Sequence, residues 1–261
     1  AHPDIDMVSF TGSTRAGVLV AKAAADTVKR VTQELGGKSP NIIFEDANLE
    51  KDVTAGVRRM MNNTGQSCNA PSRMLVQSSV YDQAIKIAKT AAEDIAVDQP
   101  TKEGEHLGPL SSRVQFDKVQ GLIKKGIEEG ANVVAGGPGK PDGLDIGYFV
   151  KPTVFSGVSN DMTIAQEEIF GPVLTMISFD TEEQAIEIAN DTPYGLAAYF
   201  STASEERAAR VASQLRAGMI SVNSASQNYT APFGGYKQSG NGREWGEFGF
   251  DDFLEIKGIT R

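Results

Sequence analysis

The chain of 261 residues contains very little cysteine and histidine, and this scarcity excludes two classes of protein. Cys68 is the only cysteine, so no disulfide can form within the chain and a secreted disulfide scaffold is excluded. The two histidines, His2 and His106, have no second ligand at metal-binding spacing. We therefore predict no zinc or other metal site.

Long apolar runs and runs of like charge are also absent from the sequence. No window approaches the roughly 18 apolar residues that cross a bilayer, so we expect no membrane span. The net charge is −9, from 25 basic and 34 acidic residues, and like charges are not concentrated in runs. Such a chain does not attract nucleic acid or an anionic membrane surface, and we exclude both as partners.

The beginning of the sequence has no basic leader and no export signal. Together with the single cysteine, this favours a cytoplasmic location. An initiator methionine is also missing, although the first strand pattern already falls within the first ten residues. We expect a further segment of the protein to precede residue 1.

The composition that remains is ordinary for a globular protein, with 40% hydrophobic and 23% charged residues. Strand-like and helix-like patterns alternate along the chain, which predicts a parallel α/β fold. The predicted strands are residues 7–10, 41–44, 73–76, 132–135, 148–155, 173–179, 197–201 and 219–223. The predicted helices are residues 16–29, 49–61, 79–96, 111–129, 181–190 and 204–215. After residue 224, closely spaced glycines indicate turns.

Cys68 lies in a polar stretch, residues 62–71 (NNTGQSCNAP). A free cysteine is commonly a small buried apolar residue, so a structural role is one interpretation. The polar setting favours another, because unpaired backbone N–H groups at a turn give a cysteine thiolate character. In that interpretation the Cys68 N–H also faces the oxyanion that forms when the sulfur attacks a carbonyl group.

Glu34 lies at the end of an extended segment, shortly before Gly36 and Gly37. One interpretation is a solvated charge on a loop. The other is a general base whose pKa is set by its pocket and which activates water beside an acylated thiol.

Two further stretches have weaker patterns. Residues 12–17 (GSTRAG) lie between a predicted strand and a predicted helix, where helix N-terminal N–H groups suit a phosphate. The full three-glycine dinucleotide pattern is missing from them. Residues 167–173 (EEIFGPV) place two carboxylates and an aromatic ring before a strand, which alone is typical of a solvated turn.

In combination these stretches resemble a known family. The motifs FTGST (10–14), ELGGK (34–38), GQSC (65–68), EEIFGP (167–172) and PFGGYKQSG (232–240), in this order, closely resemble the NAD(P)-dependent aldehyde dehydrogenase superfamily. The glutamate and cysteine motifs are together highly specific. The resemblance covers the whole chain and implies a Rossmann-like catalytic domain with a parallel sheet, preceded by a remnant of the nucleotide-binding domain.

The resemblance also implies roles for individual residues. Cys68 would be the nucleophile that adds to an aldehyde, and Glu34 would activate the water that hydrolyses the resulting thioester. Glu244 would relay protons to that base. The implied cofactor-binding residues are Gly12 and Ser13 at the turn that faces the pyrophosphate, Gly17 for the close helix packing there, Leu35 and Gly36 at the nicotinamide end, and Glu168 and Phe170 at the nicotinamide ribose.

By the same resemblance, the complete protein would use NAD or NADP, oxidise an aldehyde, and form a homodimer or homotetramer through a strand at residues 253–257. Asn69 and residues 224–230 would line the aldehyde entrance. The implied domains are residues 1–37, the end of the NAD(P)-binding domain; residues 38–238, the catalytic domain; and residues 239–261, a tail with the oligomerisation strand.

Family members are about twice this long, and the residues that bind the adenosine end of the cofactor in them would lie outside this chain. We therefore interpret the chain as the C-terminal part of a longer enzyme and expect no tightly bound cofactor on it alone. Residues 7–10 would then be a lone strand with unpaired edges. Two alternatives stay open: a thiol esterase that uses Cys68 and Glu34 without a cofactor, and a non-catalytic module that assembles with full-length subunits.

Overall fold

The structure is a computed structural model that describes residues 2–261. Its helices are α1 Thr14–Ala25, α2 Leu49–Met61, α3 Tyr81–Glu93, α4 Arg113–Glu128, α5 Thr163–Gln166, α6 Glu182–Asn190, α7 Glu205–Gln214 and α8 Gly246–Asp251. Its strands are β1 Met7–Thr11, β2 Arg30–Glu34, β3 Pro40–Ile43, β4 Arg73–Gln77, β5 Asn132–Ala135, β6 Thr153–Ser156, β7 Val173–Phe179, β8 Tyr194–Gly195, β9 Ala197–Ser201, β10 Met219–Val222, β11 Tyr236–Lys237 and β12 Gly240–Asn241.

Polar N-cap residues fix the starts of five of these helices. In each case the cap side chain accepts a hydrogen bond from a backbone N–H three residues later, which the first turn would otherwise leave unpaired. These caps are Ser13, Asn48, Ser112, Thr181 and Ser204. Within residues 2–261, none of the helices combines the length and the apolar character needed to cross a bilayer.

The main sheet has seven strands in the order β10-β9-β3-β4-β7-β6-β5. Neighbouring strands are parallel except β5 and β6, which are antiparallel. Helices lie on both faces and enclose two hydrophobic clusters, one under α2 and α3 and the other under α4, α6 and α7. The central strands β3, β4 and β7 are accordingly buried along nearly their whole length. The predicted α/β fold with a parallel sheet is confirmed.

A second, small sheet joins the first and last parts of the chain in the order β1-β2-β12. β1 is parallel to β2, from Met7 opposite Arg30 to Thr11 opposite Glu34, while β12 is antiparallel to β2. The expectation that residues 7–10 form a lone strand is therefore wrong. α1 supplies the crossover that a parallel pair of strands requires. The partner strand β2 is not predicted from the sequence because its residues are mostly polar.

Two other predicted strands differ from the structure. The strand predicted at residues 148–155 begins only at Thr153, after Pro152, which has no N–H for a strand ladder. Residues 253–257 are not a strand, because no strand of the described residues lies beside them to pair their backbone groups. Instead, the Arg30 guanidinium donates to the Leu254 carbonyl (3.3 Å) and pairs with Glu255 (3.1 Å).

The amino-terminal edge of the main sheet brings together the stretches that carry the sequence motifs. Residues 34–39 lead into β3, residues 65–72 lead into β4, and residues 167–172 lead into β7. Because β3, β4 and β7 are adjacent and parallel, their starts lie side by side. The three lead-in segments, defined by these ranges, are therefore neighbours.

Arg73, the first residue of β4, holds this edge together from inside. Its side chain is fully buried, and burial lowers the pKa of its guanidinium to about 10. It donates hydrogen bonds to the carbonyl groups of Lys38 (3.0 Å), Ile188 (2.8 Å) and Ala189 (2.8 Å), and to the side chain of Asn160 (2.9 Å). One side chain thus ties the lead-in segment of β3 to the end of α6.

We expect Arg73→Met to lower the free energy of unfolding by about 3–5 kcal/mol, because several buried carbonyl groups would lose their donor. Urea unfolding of the chain measures this loss. Arg113→Met is the matched control, since the Arg113 side chain is 72% exposed, pairs with Asp117 on its own helix and should cost less than about 1 kcal/mol. Equal losses in the two variants would contradict the role assigned to Arg73.

Candidate functional site

Glycines allow the three lead-in segments to approach one another closely. A Cβ on Gly37 would lie 2.2 Å from the Cys68 carbonyl oxygen, and a Cβ on Gly65 would lie 2.2 Å from the Gly171 carbonyl oxygen. Gly65 also has a φ of 68°, in the left-handed region that favours glycine. Any larger residue would push the segments apart, so the positions of the groups they carry depend on these contacts.

The Cys68 thiol is half-buried at this junction, within electrostatic range of two carboxylates. Burial and the charges of Glu168 and Glu34 raise the pKa of the thiol to about 11, although the backbone N–H groups of Asn69 and Cys68 lower it. The thiolate character expected from the polar turn is therefore wrong, because burial and two negative charges outweigh two N–H donors. The same interactions place Cys68, Glu34 and Glu168 around one site.

Glu34, the last residue of β2, is buried, and its Oε2 has no hydrogen-bond partner among the described residues. Burial and the nearby Glu244 carboxylate raise the pKa of Glu34 to about 8, against the opposing charge of Arg243. Glu34 is thus not a solvated loop charge. Its carboxyl group ionises in the mildly alkaline range, where it can accept a proton from a thiol or from water.

Glu168 lies against the backbone of Gly36 and Gly37. The Gly37 N–H donates to Oε1 of Glu168 (3.0 Å), and a Cβ on Gly36 would lie 2.5 Å from Oε2. The missing side chain at Gly36 therefore makes room for this carboxylate. Burial raises the pKa of Glu168, while the Gly37 N–H and the charges of Lys118 and Lys38 lower it.

Phe170, in the lead-in segment of β7, has a strained backbone. Its φ of 56° is unusual for a residue with a large side chain. The Gln115 side-chain amide holds this conformation by donating to the carbonyl oxygens of Ile169 (2.9 Å) and Phe170 (2.8 Å). Backbone strain maintained by surrounding contacts is frequent at functional sites.

The remaining sequence-predicted residues lie around α1. Gly12 and Ser13 are exposed at the turn between β1 and α1, where Ser13 caps the helix by accepting from the Ala16 N–H (3.3 Å). Gly17 is buried, and a Cβ there would lie 2.6 Å from a methyl carbon of Leu35. The glycine therefore lets α1 pack closely on the segment that follows β2.

An open cavity of about 750 Å³ borders the Cys68 turn, since Ser67, Asn69 and Ala70 line it. This volume lies within the range of roughly 300–1,000 Å³ that is typical of small-molecule sites. Residues 225–228 also line it, at the position where the resemblance implies the aldehyde entrance. No group of three or more side chains suited to holding a metal ion occurs within residues 2–261.

Three of the larger side chains that line this cavity could not be assigned to it from their place in the sequence. Tyr199 comes from β9 and Trp245 from the turn before α8, so neither is near Cys68 in the sequence. Arg59 comes from α2, and the sequence does contain a feature that could have pointed to it. It lies three positions after Gly56, beside the apolar stripe of the helix, where a charge needs an explanation.

Comparisons with known proteins agree along the whole chain. A family model described as Aldehyde dehydrogenase family matches residues 1–259. Two relatives are a 3-succinoylsemialdehyde-pyridine dehydrogenase of Pseudomonas sp, 58% identical, and a putative aldehyde dehydrogenase of Staphylococcus saprophyticus, 48% identical. Each match covers 99% of this chain and 54% of the relative, so the chain spans about half the length of the curated relatives it matches.

Solved structures show the same architecture. An aldehyde dehydrogenase of Pseudomonas syringae, solved with NAD+ and octanal, is 53% identical, with a TM-score of 0.96 over 98% of this chain and 53% of that chain. An aldehyde dehydrogenase of Mycobacterium tuberculosis, solved with NAD+, is 45% identical, with a TM-score of 0.94 over 100% of this chain and 55% of that chain. The backbone of this chain thus follows about half of each solved chain.

The raised thiol pKa predicts how Cys68 reacts with iodoacetamide. Because only the thiolate reacts, we expect the rate to rise about tenfold per pH unit from about pH 7 to about pH 10. Glu34→Gln removes a charge that raises the thiol pKa, so it should speed alkylation above about pH 8, where Glu34 is ionised, and not below. Glu128→Gln, at an exposed position of α4, is the control. A wild-type rate that stops rising below pH 8 would refute the assigned pKa direction.

Proposed function

The chain belongs to the aldehyde dehydrogenase family, and from this membership we propose that it is the C-terminal part of an enzyme that oxidises an aldehyde to a carboxylic acid with NAD+ or NADP+. The observation that carries the proposal is the meeting of Cys68 and Glu34 at one edge of the sheet, where the charge of Glu34 acts on the thiol. The match to about half the length of its relatives supports the assignment to one part of a longer enzyme.

Cys68 is the proposed nucleophile. Its sulfur bonds to the aldehyde carbon while the thiol proton passes to the former carbonyl oxygen, which becomes the hydroxyl group of the thiohemiacetal and accepts a hydrogen bond from the Cys68 N–H. The proton moves as the bond forms because burial and nearby carboxylates raise the pKa of the thiol and keep it protonated near neutral pH. When bound, the nicotinamide supplies the hydride acceptor that oxidation of this adduct to a thioester requires.

Glu34 is the proposed base for hydrolysis of the thioester. It takes a proton from water as the water oxygen bonds to the acyl carbon. The carbon–sulfur bond then breaks while Glu34 returns the proton to the sulfur, which releases the acid and restores the thiol. The raised pKa of Glu34 suits a group that must both accept and return protons at mildly alkaline pH. Glu244, whose charge acts on Glu34, is the proposed relay that passes these protons to solvent.

The residues present fit the nicotinamide half of the cofactor. Gly36 and Gly37 form a cradle without side chains, and the Glu168 carboxylate beside it has an oxygen that accepts no hydrogen bond from described residues, as a ribose hydroxyl requires. Phe170 and Leu35 adjoin this cradle along the chain. The exposed turn of Gly12 and Ser13, at the N-terminus of α1, suits the pyrophosphate, and Gly17 allows the helix packing behind it.

We propose the domain division at residues 37 and 238 for the whole enzyme, together with a cytoplasmic location, which the single cysteine favours. We also propose a homodimer or homotetramer that pairs through residues 253–257. In support, Phe253 is 53% and Ile256 100% exposed, and the backbone of this segment has no strand beside it in the described chain. Residue 1 lies outside the described residues.

A thiol esterase is the second candidate function. The observation in its favour is that Cys68 and Glu34 both belong to this chain, and ester hydrolysis through an acyl-enzyme needs no nicotinamide. Hydrolysis of an activated ester by the 261-residue chain, lost in Cys68→Ala, would support it. A non-catalytic assembly module would show neither ester hydrolysis nor aldehyde oxidation.

Glu34→Gln tests the proposed mechanism in the full-length enzyme. We expect one rapid turnover of cofactor per site and then a steady rate lowered by about 10²–10⁴-fold, because the thioester forms and is not hydrolysed. Stopped-flow absorbance of the reduced cofactor measures both phases, and protein mass spectrometry detects the acyl group on Cys68. Cys68→Ala should remove both phases. An unchanged steady rate in Glu34→Gln would refute the assignment of Glu34 as the base for thioester hydrolysis.

Gly36→Ala tests the proposed cofactor cradle. Its Cβ would lie 2.5 Å from Oε2 of Glu168 and displace that carboxylate, so we expect NADH to bind the full-length enzyme about tenfold more weakly. A fluorescence titration measures the dissociation constant. Gly121→Ala on α4 is the control, because nothing lies within 4 Å of a Cβ there. Unchanged NADH affinity in Gly36→Ala would count against Glu168 as a ribose-binding residue.

A further inference from the structure

The cavity beside Cys68 contains a single charged side chain, and that charge is positive. Arg59 is the one charged residue among the described residues that line the cavity, where the other polar side chains, such as Asn62 and Gln227, are neutral. The chain as a whole carries a net charge of −9, so the charge of this cavity is opposite in sign to that of the chain. A lone cation in a cavity of this size indicates an anionic group on the ligand.

Arg59 reaches the cavity because α2 packs closely on the main sheet. A Cβ on Gly56 would lie 2.5 Å from the side-chain nitrogen of Asn41 and 2.7 Å from the terminal methyl of Met74, so a side chain there would lift the helix. Arg59 follows Gly56 by three positions and therefore projects near the same face of the helix. Its side chain is half-buried rather than extended into solvent.

No carboxylate neutralises Arg59 within the described residues. Asp52, two turns earlier on α2, shares a smaller neighbouring cavity with Arg59 but forms no ion pair with it. The guanidinium instead stacks on the ring of Tyr199, 4.9 Å from its centre. Stacking uses the face of the guanidinium and leaves the N–H groups in its plane free to donate. The arginines that do form ion pairs are Arg30, Arg113, Arg207 and Arg210.

Tyr199 connects this cation to the reacting end of the cavity. Its hydroxyl donates to the carbonyl of Asn69 (2.9 Å), the residue directly after Cys68. Burial raises the pKa of Tyr199 to about 12, and the charge of Arg59 and the Cys68 thiol both act on the same hydroxyl. The Tyr199 side chain therefore contacts both Arg59 and the residue that follows Cys68, so Arg59 and the Cys68 turn border the same cavity about one side chain apart.

We propose that the aldehyde oxidised at Cys68 carries a carboxylate at its other end, and that Arg59 binds this carboxylate; this inference rests on the proposed function. A guanidinium donates two parallel hydrogen bonds to a carboxylate, which fixes both position and orientation. Anchoring the far end of a short molecule holds its aldehyde carbon near the sulfur. The substrate class is therefore the short straight-chain ω-oxo carboxylic acids, and Arg59 is a specificity-determining residue.

The test compares aldehydes of equal chain length with and without the carboxylate in the full-length enzyme. Succinate semialdehyde is paired with butanal, and glutarate semialdehyde with pentanal. We expect the wild type to have the higher kcat/KM for each oxo acid. Arg59→Met should lower kcat/KM for the oxo acids at least about tenfold, or 1.4 kcal/mol, and leave the alkanals nearly unchanged. Arg59→Lys should keep part of the preference, because it retains the charge without the two-pronged geometry.

Arg58→Met is the matched control. Arg58 precedes Arg59 on α2, is exposed and does not line the cavity, so its loss removes the same charge from the same helix turn. It should keep the wild-type preference. An equal loss for oxo acid and alkanal in Arg59→Met would mean that Arg59 only supports Tyr199, and would overturn the proposal. A wild type without any preference for the oxo acid would also overturn it.

A second experiment requires no catalytic turnover, so it tests the carboxylate site separately from the proposed function. Glutarate should slow alkylation of Cys68 by iodoacetamide in the 261-residue chain, Arg59→Met should remove that protection, and Arg58→Met should retain it. If the full-length enzyme oxidises neither aldehyde, that result counts against the proposed function alone. Protection by glutarate then decides whether the carboxylate site exists. Absence of protection in the wild type overturns the site.

Discussion

The close contact of Gly37 with the Cys68 carbonyl group is the constraint on which the site depends. Adjacent strands lie about 4.8 Å apart, so the segments that lead into β3, β4 and β7 are neighbours by necessity. Glycines at the contacts let the thiol of one segment meet the carboxylates of the others. Open α/β sheets usually bind ligands beyond the carboxyl ends of their strands. Here the turns before the strands carry the reactive groups, and the buried Arg73 fixes that edge.

This convergence gathers titratable groups where water stabilises their charges poorly. The pKa values of Glu34 and Cys68 are raised to about 8 and about 11, while burial and the nearby Arg73 lower that of Lys38 to about 7. Each shift favours the neutral form, so Glu34 and Cys68 are largely uncharged near neutral pH. The geometry therefore favours proton transfer between neighbouring groups over chemistry that relies on a standing thiolate.

Local patterns predict much of this fold, because alternating strands and capped helices follow from short-range preferences. Cys68 and Glu34 could be identified from the sequence since each lies in a short motif of its own. The thiol pKa could not, because the carboxylates that raise it come from distant segments. Arg59 was missed for a similar reason, as its stacking partner Tyr199 is on β9. The family resemblance implies a strand at residues 253–257, but a strand also needs a neighbour that local sequence does not reveal.

The small sheet makes the surroundings of Glu34 dependent on residues that are synthesised about 200 positions later. Gly240 lies opposite Glu34 in this sheet, and the Ser239 hydroxyl donates to the Gly36 carbonyl (2.6 Å) across a sequence separation of 203 residues. Contacts between such distant positions close the largest loops and form slowly. A nascent chain therefore exposes the Cys68 turn well before the surroundings of Glu34 are complete. The surroundings of Glu34 are thus complete only after residue 240 has left the ribosome, and a ribosome that stalls before that point releases a polypeptide in which Glu34 lacks one of its neighbouring strands.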